Sequence, residues 1–392
     1  MPELKTPQVD LNAFLFQGKN PSTVDDPKSL DATEKHELRM VGVDVDSPRA
    51  GTFLQFDHAP VHCSSARPGV EVLPIQKALD RYNGLPEYFW RAVDPDKDDF
   101  TRAARQEPLH GGYFIRVQPG VHVEEPVQTC LFIKGDAVGQ NVHNIVVVEE
   151  GAEVHIITGC ATSHGVSSAL HLGISEFYIK RGGKLTFTMV HNWGKEVAVR
   201  PRTVGIVEED GVFLSNYVLL KEVRSVQSYP TIHLNGPGAV ARFNSVIVAP
   251  SGSHVDTGNR IVLNAPGTRG EIVSRTITTG GTIIARGEII GNAVPARGHL
   301  ECKGLILGSG GIIHAIPELR GTRAGVELSH EAAVGKIAQE EIEYLMARGL
   351  DEDEATATIV RGFLNVEIMG LPQELRESID ATIAELDAHD AM

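Results

Sequence analysis

The chain has 392 residues, 42% of them hydrophobic, which is enough for a large core in two or three structural units. The formal net charge of −15 is concentrated near the C-terminus, where residues 326–392 hold 16 Asp/Glu against 4 Lys/Arg, a net of −12. Such a surface repels phosphate and excludes nucleic acid as a partner there; a basic protein partner or a set of solvated helix faces are the two readings left open.

The N-terminal Met1-Pro2-Glu3-Leu4-Lys5 lacks the basic start and apolar block of a secretion signal. No apolar run reaches the roughly 18 residues of a spanning helix. The expectation is a cytoplasmic protein without a membrane segment. The four cysteines, Cys63, Cys130, Cys160 and Cys302, are widely spaced and form no CxxC, which argues against both a zinc knuckle and a disulfide framework. Neither GxxxxGK[ST] nor a GxGxxG after a strand occurs, so no nucleotide loop is expected.

Residues 1–109 read as a mixed, largely helical region punctuated by Pro21, Asp25-Asp26-Pro27 and Asp94-Pro95-Asp96. Gly69 to Tyr82 reads as a short strand running into a helix. Glu87-Tyr88-Phe89-Trp90 is expected to pack this region onto the β-rich stretch beyond it. From about His110 to residue 325, short β-branched runs alternate with glycine turns. Five of them carry marker glycines at 151, 182, 211, 238 and 267, a drifting period near 29 residues. That spacing predicts a solenoid, with stacked coils burying ladders of Val, Ile and Leu and glycine at the tight corners. An ordinary β-sandwich is the competing reading. Residues 326–392 read as a helical domain, with a helix over 337–348. A second helix is opened by the capping pair Asp351 and Glu354 and carries an apolar stripe from Ala355 through Ile368. A third starts at Pro372.

The densest grouping of potential iron ligands is Cys302, His330 and Glu331. Thiolate is the usual ligand of iron–sulfur clusters, and imidazole or carboxylate can replace it at a labile position. The plainer reading is that Ser329 caps a helix, Glu331 favours its N-terminus and His330 is incidental. If the segment were a strand, His330 and Glu331 would point to opposite faces.

Several stretches, in this order, resemble the SufB/SufD family of iron–sulfur cluster assembly scaffolds. They are Gly159-Cys160-Ala161-Thr162, Leu185 to Trp193, Arg297-Gly298-His299-Leu300-Glu301-Cys302, Ala315-Ile316-Pro317-Glu318-Leu319, Leu328-Ser329-His330-Glu331-Ala332 and Tyr344 to Leu350. The resemblance implies a mainly β fold: a right-handed parallel β-helix core flanked by an N-terminal α/β region and C-terminal helices. It implies a non-catalytic scaffold that receives sulfur and iron, builds a transient iron–sulfur cluster and passes it to apoproteins. A SufC-type ABC ATPase is then expected on the C-terminal helices, together with a sulfur donor, either a cysteine desulfurase or sulfide. A second β-helix subunit is expected as well; because Cys302, His330 and Glu331 occur in one chain, a homodimer is proposed. Reduced flavin is left open as an electron source.

By the same resemblance Cys160 is the persulfide acceptor, and Cys302, His330 and Glu331 hold iron and the nascent cluster. Cys63 and Cys130 have no such match and are left structural, and His191 is read as a core histidine in preference to a sulfur-path residue. Ser329 stands where many SufB chains carry an acidic residue. Glu331 stands where SufD chains often carry glycine, which favours a SufB-like chain over a SufD-like adaptor that holds no cluster. A polysaccharide-cleaving solenoid would need a row of carboxylates along a groove, and the carboxylates here show no repeating phase.

Overall fold

The computed structural model describes residues 6–18, 21–307, 310–364 and 377. The fold is mainly β, a solenoid of about eight turns with its helices toward the two ends of the chain. Two sheets form its walls. One runs, in strand order, Ala59–Ser65, Gly51–Phe56, Val127–Ile133, Glu153–Thr162, Lys184–Asn192, Val212–Leu219, Val240–Ala249, Thr268–Thr278, Ala296–Ile306 and Val326–Gly335. The other carries the alternate strands, ending in Thr282–Gly291 and Ile312–Gly321. Nearly every pairing is parallel and in register; the exceptions lie at the N-terminal end, where Ala59–Ser65 and Val70–Pro74 pair antiparallel. Parallel sheets of this kind need both faces covered. The inner faces meet in one long core, including Phe53, Phe177, Phe187, Phe213, Phe243, Ile272 and Leu300.

The corners follow the expected period with one shift. Gly120, Gly151, Gly182, Asp210, Gly238 and Gly267 all have left-handed backbone, at intervals of 31, 31, 28, 28 and 29 residues. The amide of each of the first five donates to a carbonyl of the next coil: Glu150, Arg181, Glu209, Pro237 and Pro266, at 2.8–3.0 Å. The marker expected at Gly211 therefore falls one residue late. Asp210 occupies the corner with φ +52°, a conformation Asp tolerates better than most residues. Its carboxylate lies 2.3 Å from where a Cβ at Gly238 would sit, so a side chain at the following corner would have to displace it.

Two further readings are corrected. The solenoid sheet begins at Gly51, not near His110, because Gly51–Phe56 pairs parallel with Val127–Ile133 and so founds the sheet. The helical domain does not start at 326. Val326–Gly335 is a strand, its alternating Val326, Leu328, His330, Ala332 and Val334 continuing the inward row of the preceding coil. The helix cap read at Ser329 is absent for the same reason: Ser329 Oγ instead holds His299 Nδ1 at 2.8 Å.

Elsewhere the local readings hold. Val70–Pro74 runs into the helix Ile75–Arg81. Tyr88 packs on Tyr178, and Phe89 and Trp90 on His143. Asp351 and Glu354 form the reciprocal capping pair of the helix Glu352–Leu364. That helix buries Val360 and Leu364 in an outer cluster that also holds Ile277 and Leu307. The helix expected from Pro372, and Ile368 of the apolar stripe, lie outside the described residues.

Candidate functional site

The site is built on the last two strands of one sheet. Ala296–Ile306 alternates buried and more exposed positions, and Cys302 falls on the buried phase beside Leu300. It is 3% exposed, and burial, helped by the charge of Glu301 and opposed by Arg275, pushes its thiol up to about 11. On the next strand Leu300 is paired with His330, Glu301 with Glu331 and Cys302 with Ala332. Register partners on parallel strands share a face, and neighbours in sequence do not. Cys302 and His330 thus lie on the interior side, and Glu331 lies outside. Among the described residues no further coil covers this last turn, and His330 is exposed there, together with the apolar side chains of Leu319 and Val334.

Glu331 is held on the outer face. Lys303 Nζ lies 3.2 Å from Glu331 Oε1 and 2.7 Å from Glu301 Oε1, and Arg275 Nη2 lies 2.7 Å from the same Glu301 oxygen. These are ion pairs by distance; Glu301 Oε1 and Arg275 Nη1 have no well-angled hydrogen bond. The Arg275 guanidinium in turn sits 5.9 Å from the ring of Phe363 on the C-terminal helix. Cys302, His330 and Glu331 therefore do not converge within one chain, and among the described residues no three His, Cys, Asp or Glu side chains form a group that could hold a metal ion.

Cys160 lies in the strand Glu153–Thr162, five strand positions away in the same sheet. It is fully buried on the interior side, flanked by its register partners Leu131 and His191. Burial, with Cys130 adding to it, raises its thiol well above the ordinary range. Cys130 points to the opposite face, into the outer cluster with Phe56 and Phe132. Cys63 is half-buried and donates to the Val72 carbonyl at 3.3 Å.

Between the two cysteines runs a row that the sequence reading missed. Met189, Tyr217, Ser245, Ser274 and Cys302 are consecutive register partners on five neighbouring strands, all on the interior side. Tyr217 Oη lies 3.0 Å from Nδ1 of His191, the neighbour of Cys160. The His191 and His171 rings flank Trp193, and Nδ1 of His171 meets Oε1 of Gln140 at 2.9 Å. Burial brings both imidazoles down to about 3, so they are neutral. A cavity of about 50 Å³ opens between the sheets at this level, lined in part by Met189, Tyr217, Ser245 and Asn259. The signal was available in the spacing. Intervals of 28, 29, 28 and 28 residues back from Cys302, the same period as the corners, reach Ser274, Ser245, Tyr217 and Met189.

Comparison with known proteins supplies the family. Residues 131–363 match the family described as "SUF system FeS cluster assembly, SufBD core domain". The chain is 53% identical over 351 residues to an iron–sulfur cluster assembly SufBD family protein of Archaeoglobus fulgidus, covering 89% of this chain and 94% of that one. It is 47% identical over 377 residues to a homologous protein of Methanothermobacter thermautotrophicus, covering 94% and 91%. It is 32% identical over 311 residues to the iron–sulfur cluster assembly protein SufB of Bacillus subtilis, covering 78% and 66%. With a solenoid that agrees with the spacing and a family match that spans more than half the chain, this protein belongs to the SufB/SufD family of iron–sulfur cluster assembly proteins.

Proposed function

We propose that the chain is the scaffold subunit of a cytoplasmic SUF-type machinery, accepting sulfur at Cys160 and assembling a transient cluster at Cys302, His330 and Glu331 before handing it to apoproteins. The observation that carries this reading is the interior row from Tyr217 through Ser245 and Ser274 to Cys302, which begins beside His191 and Cys160. In the receiving step the Cys160 thiolate attacks the outer sulfur of a donor persulfide; that S–S bond breaks and the donor thiolate leaves. Thiolate is required, yet burial disfavours it, so the coil around Cys160 has to open to a cysteine desulfurase persulfide; sulfide as donor, already fully reduced, would enter the cluster directly without a persulfide on Cys160. Five strand spacings of about 4.8 Å separate the two cysteines, about 24 Å, too far for direct exchange. Sulfur therefore has to leave Cys160 as hydrosulfide, the S–S bond being cleaved by a two-electron reductant such as reduced flavin, which regenerates the Cys160 thiol, and then move along the row to Cys302.

The cluster, as cargo, suits the donors present: a thiolate, an imidazole and a carboxylate. Since one chain does not bring them together, a second copy is required, Cys302 and Glu331 of one chain facing His330 of the other. The last turn, exposed and uncovered among the described residues, favours that arrangement. ATP hydrolysis belongs to a SufC-type ATPase on the acidic C-terminal helices, and flavin remains a candidate electron donor. Anaerobic reconstitution with iron and sulfide is expected to give cluster absorbance that Cys302→Ala abolishes; equal loading in that variant refutes the site. The SufD-like adaptor reading is favoured by the lack of convergence within one chain. Persulfide trapping at Cys160 separates the two, because an adaptor would acquire none.

A further inference from the structure

Glu331 occupies an awkward position for an iron ligand. It lies on the outer face, while Cys302 and His330 share the interior side. Its carboxylate is directly stacked on that of Glu301, its register partner, and like charges placed so repel. The ammonium group of Lys303 resolves the repulsion by lying between them, 2.7 Å from Glu301 and 3.2 Å from Glu331. The two ends of this bridge differ. Glu301 is only 15% exposed and is also paired with Arg275, itself 15% exposed against Phe363 of the C-terminal helix. Glu331 is 59% exposed and has Lys303 as its one ion-pair partner among the described residues. One carboxylate is therefore fixed and the other movable.

We infer that Lys303 is a positioning residue that clasps Glu331 to the outer face, so that iron has to displace its ammonium group before Glu331 can serve as a ligand. This rests on the reading of Glu331 as an iron ligand given above. The ammonium group and a ferrous ion compete for the same carboxylate oxygens, and a cation at that distance also opposes the approach of a second one. Releasing the clasp leaves Glu331 repelled by Glu301 and free to turn toward the open end. Loading of the site is thereby coupled to a side chain that itself binds no iron.

The test uses the full chain under anaerobic conditions, with ferrous iron alone as the probe and carbodiimide as a zero-length crosslinker. In iron-free protein a crosslink between the Lys303 and Glu331 peptides is expected by mass spectrometry, and saturating ferrous iron is expected to remove it. Lys303→Met should bind ferrous iron roughly two- to fivefold more tightly, the range of an exposed ion pair. Lys303→Arg should restore wild-type affinity, and Lys303→Met should have no effect in a Glu331→Gln background. A crosslink that persists at saturating iron overturns the inference. So does an unchanged affinity in Lys303→Met when Glu331→Gln and Cys302→Ala both weaken binding, a result that leaves the scaffold reading intact. If Glu331→Gln and Cys302→Ala bind iron as the wild type does, the underlying site is overturned and the clasp with it.

Discussion

Ser274 and Cys302 are register partners on adjacent strands, both turned to the interior, so the hydroxyl of one is the next side chain below the thiol of the other. The position is 7% exposed and lies one strand beyond Ser245, which lines the interior cavity with Tyr217. Ser274→Leu places a bulky apolar side chain in the row between Ser245 and Cys302. Sulfur delivered to Cys160 is expected to stay there as persulfide, with Cys302 gaining none, at an overpacking cost of about 1–3 kcal/mol in stability. Mass mapping of sulfur on the two cysteines checks it, and undiminished arrival at Cys302 would sink the row as the route.

Acid should destabilise the fold early. His171 and His191 are held down to about 3 and His155 to about 4, in each case by burial. Folded values below the unfolded one mean that the unfolded chain takes up these protons first. The stabilisation is complete above about pH 6.5 and is lost as pH falls toward 3, at up to about 1.4 kcal/mol per pH unit for each histidine. Urea midpoints at pH 7.5, 6.0 and 5.0 should fall in that order, and His191→Leu should flatten the slope. A midpoint constant across this range would contradict the assignment.

Glycine replacements should divide by geometry. At Gly151, φ +65°, a Cβ would meet nothing within 4 Å, so Gly151→Ala costs only the left-handed backbone, about 1–2 kcal/mol. At Gly236 a Cβ would lie 1.8 Å from the Glu209 amide nitrogen, a contact with backbone that cannot give way. Gly236→Ala is expected to cost clearly more, above about 3 kcal/mol, or to prevent folding. Chemical denaturation of both variants decides it; equal losses would mean that the two corners are not built as described.

The buried carboxylate of Glu176 ties the aromatic segment to the solenoid. It accepts from the amides of Trp90, Arg91, Ala92 and Val93 at 2.5–3.0 Å and from Nε2 of His143 at 2.8 Å. Glu176→Ala strands these donors, and a loss of about 3–5 kcal/mol is expected. Proteolysis between residues 83 and 110 should become rapid while the solenoid survives. A variant as resistant as the wild type would show that aromatic packing alone secures the segment.

What could be read from the sequence was whatever repeats. Valine and glycine spacing carried the solenoid, and Asp351 with Glu354 announced their helix. Asp210 hid one corner because a second residue type can adopt the same backbone, with Gly211 beside it as a decoy. The strand Val326–Gly335 was hidden because its outward residues are charged and its inward row is interrupted by His330, a pattern that also fits a helix start. The three ligand candidates stood out by composition, but whether they meet depends on a face parity that becomes visible only once the strand is recognised. Ser245 and Ser274 were invisible by type and detectable only by counting periods.

The two ends of the solenoid differ. At the N-terminal end the antiparallel strands Ala59–Ser65 and Val70–Pro74 close the stack, whereas at the other, among the described residues, Ile312–Gly321 and Val326–Gly335 each leave an outer edge unpaired. A stack sealed at both ends stays single, and one open at both ends can polymerise into a fibre. A stack open at one end can accept one neighbour there, and if that neighbour is a second copy meeting it about a twofold axis, both openings are consumed together. Growth through this surface then terminates by its own symmetry, without any residue dedicated to stopping it.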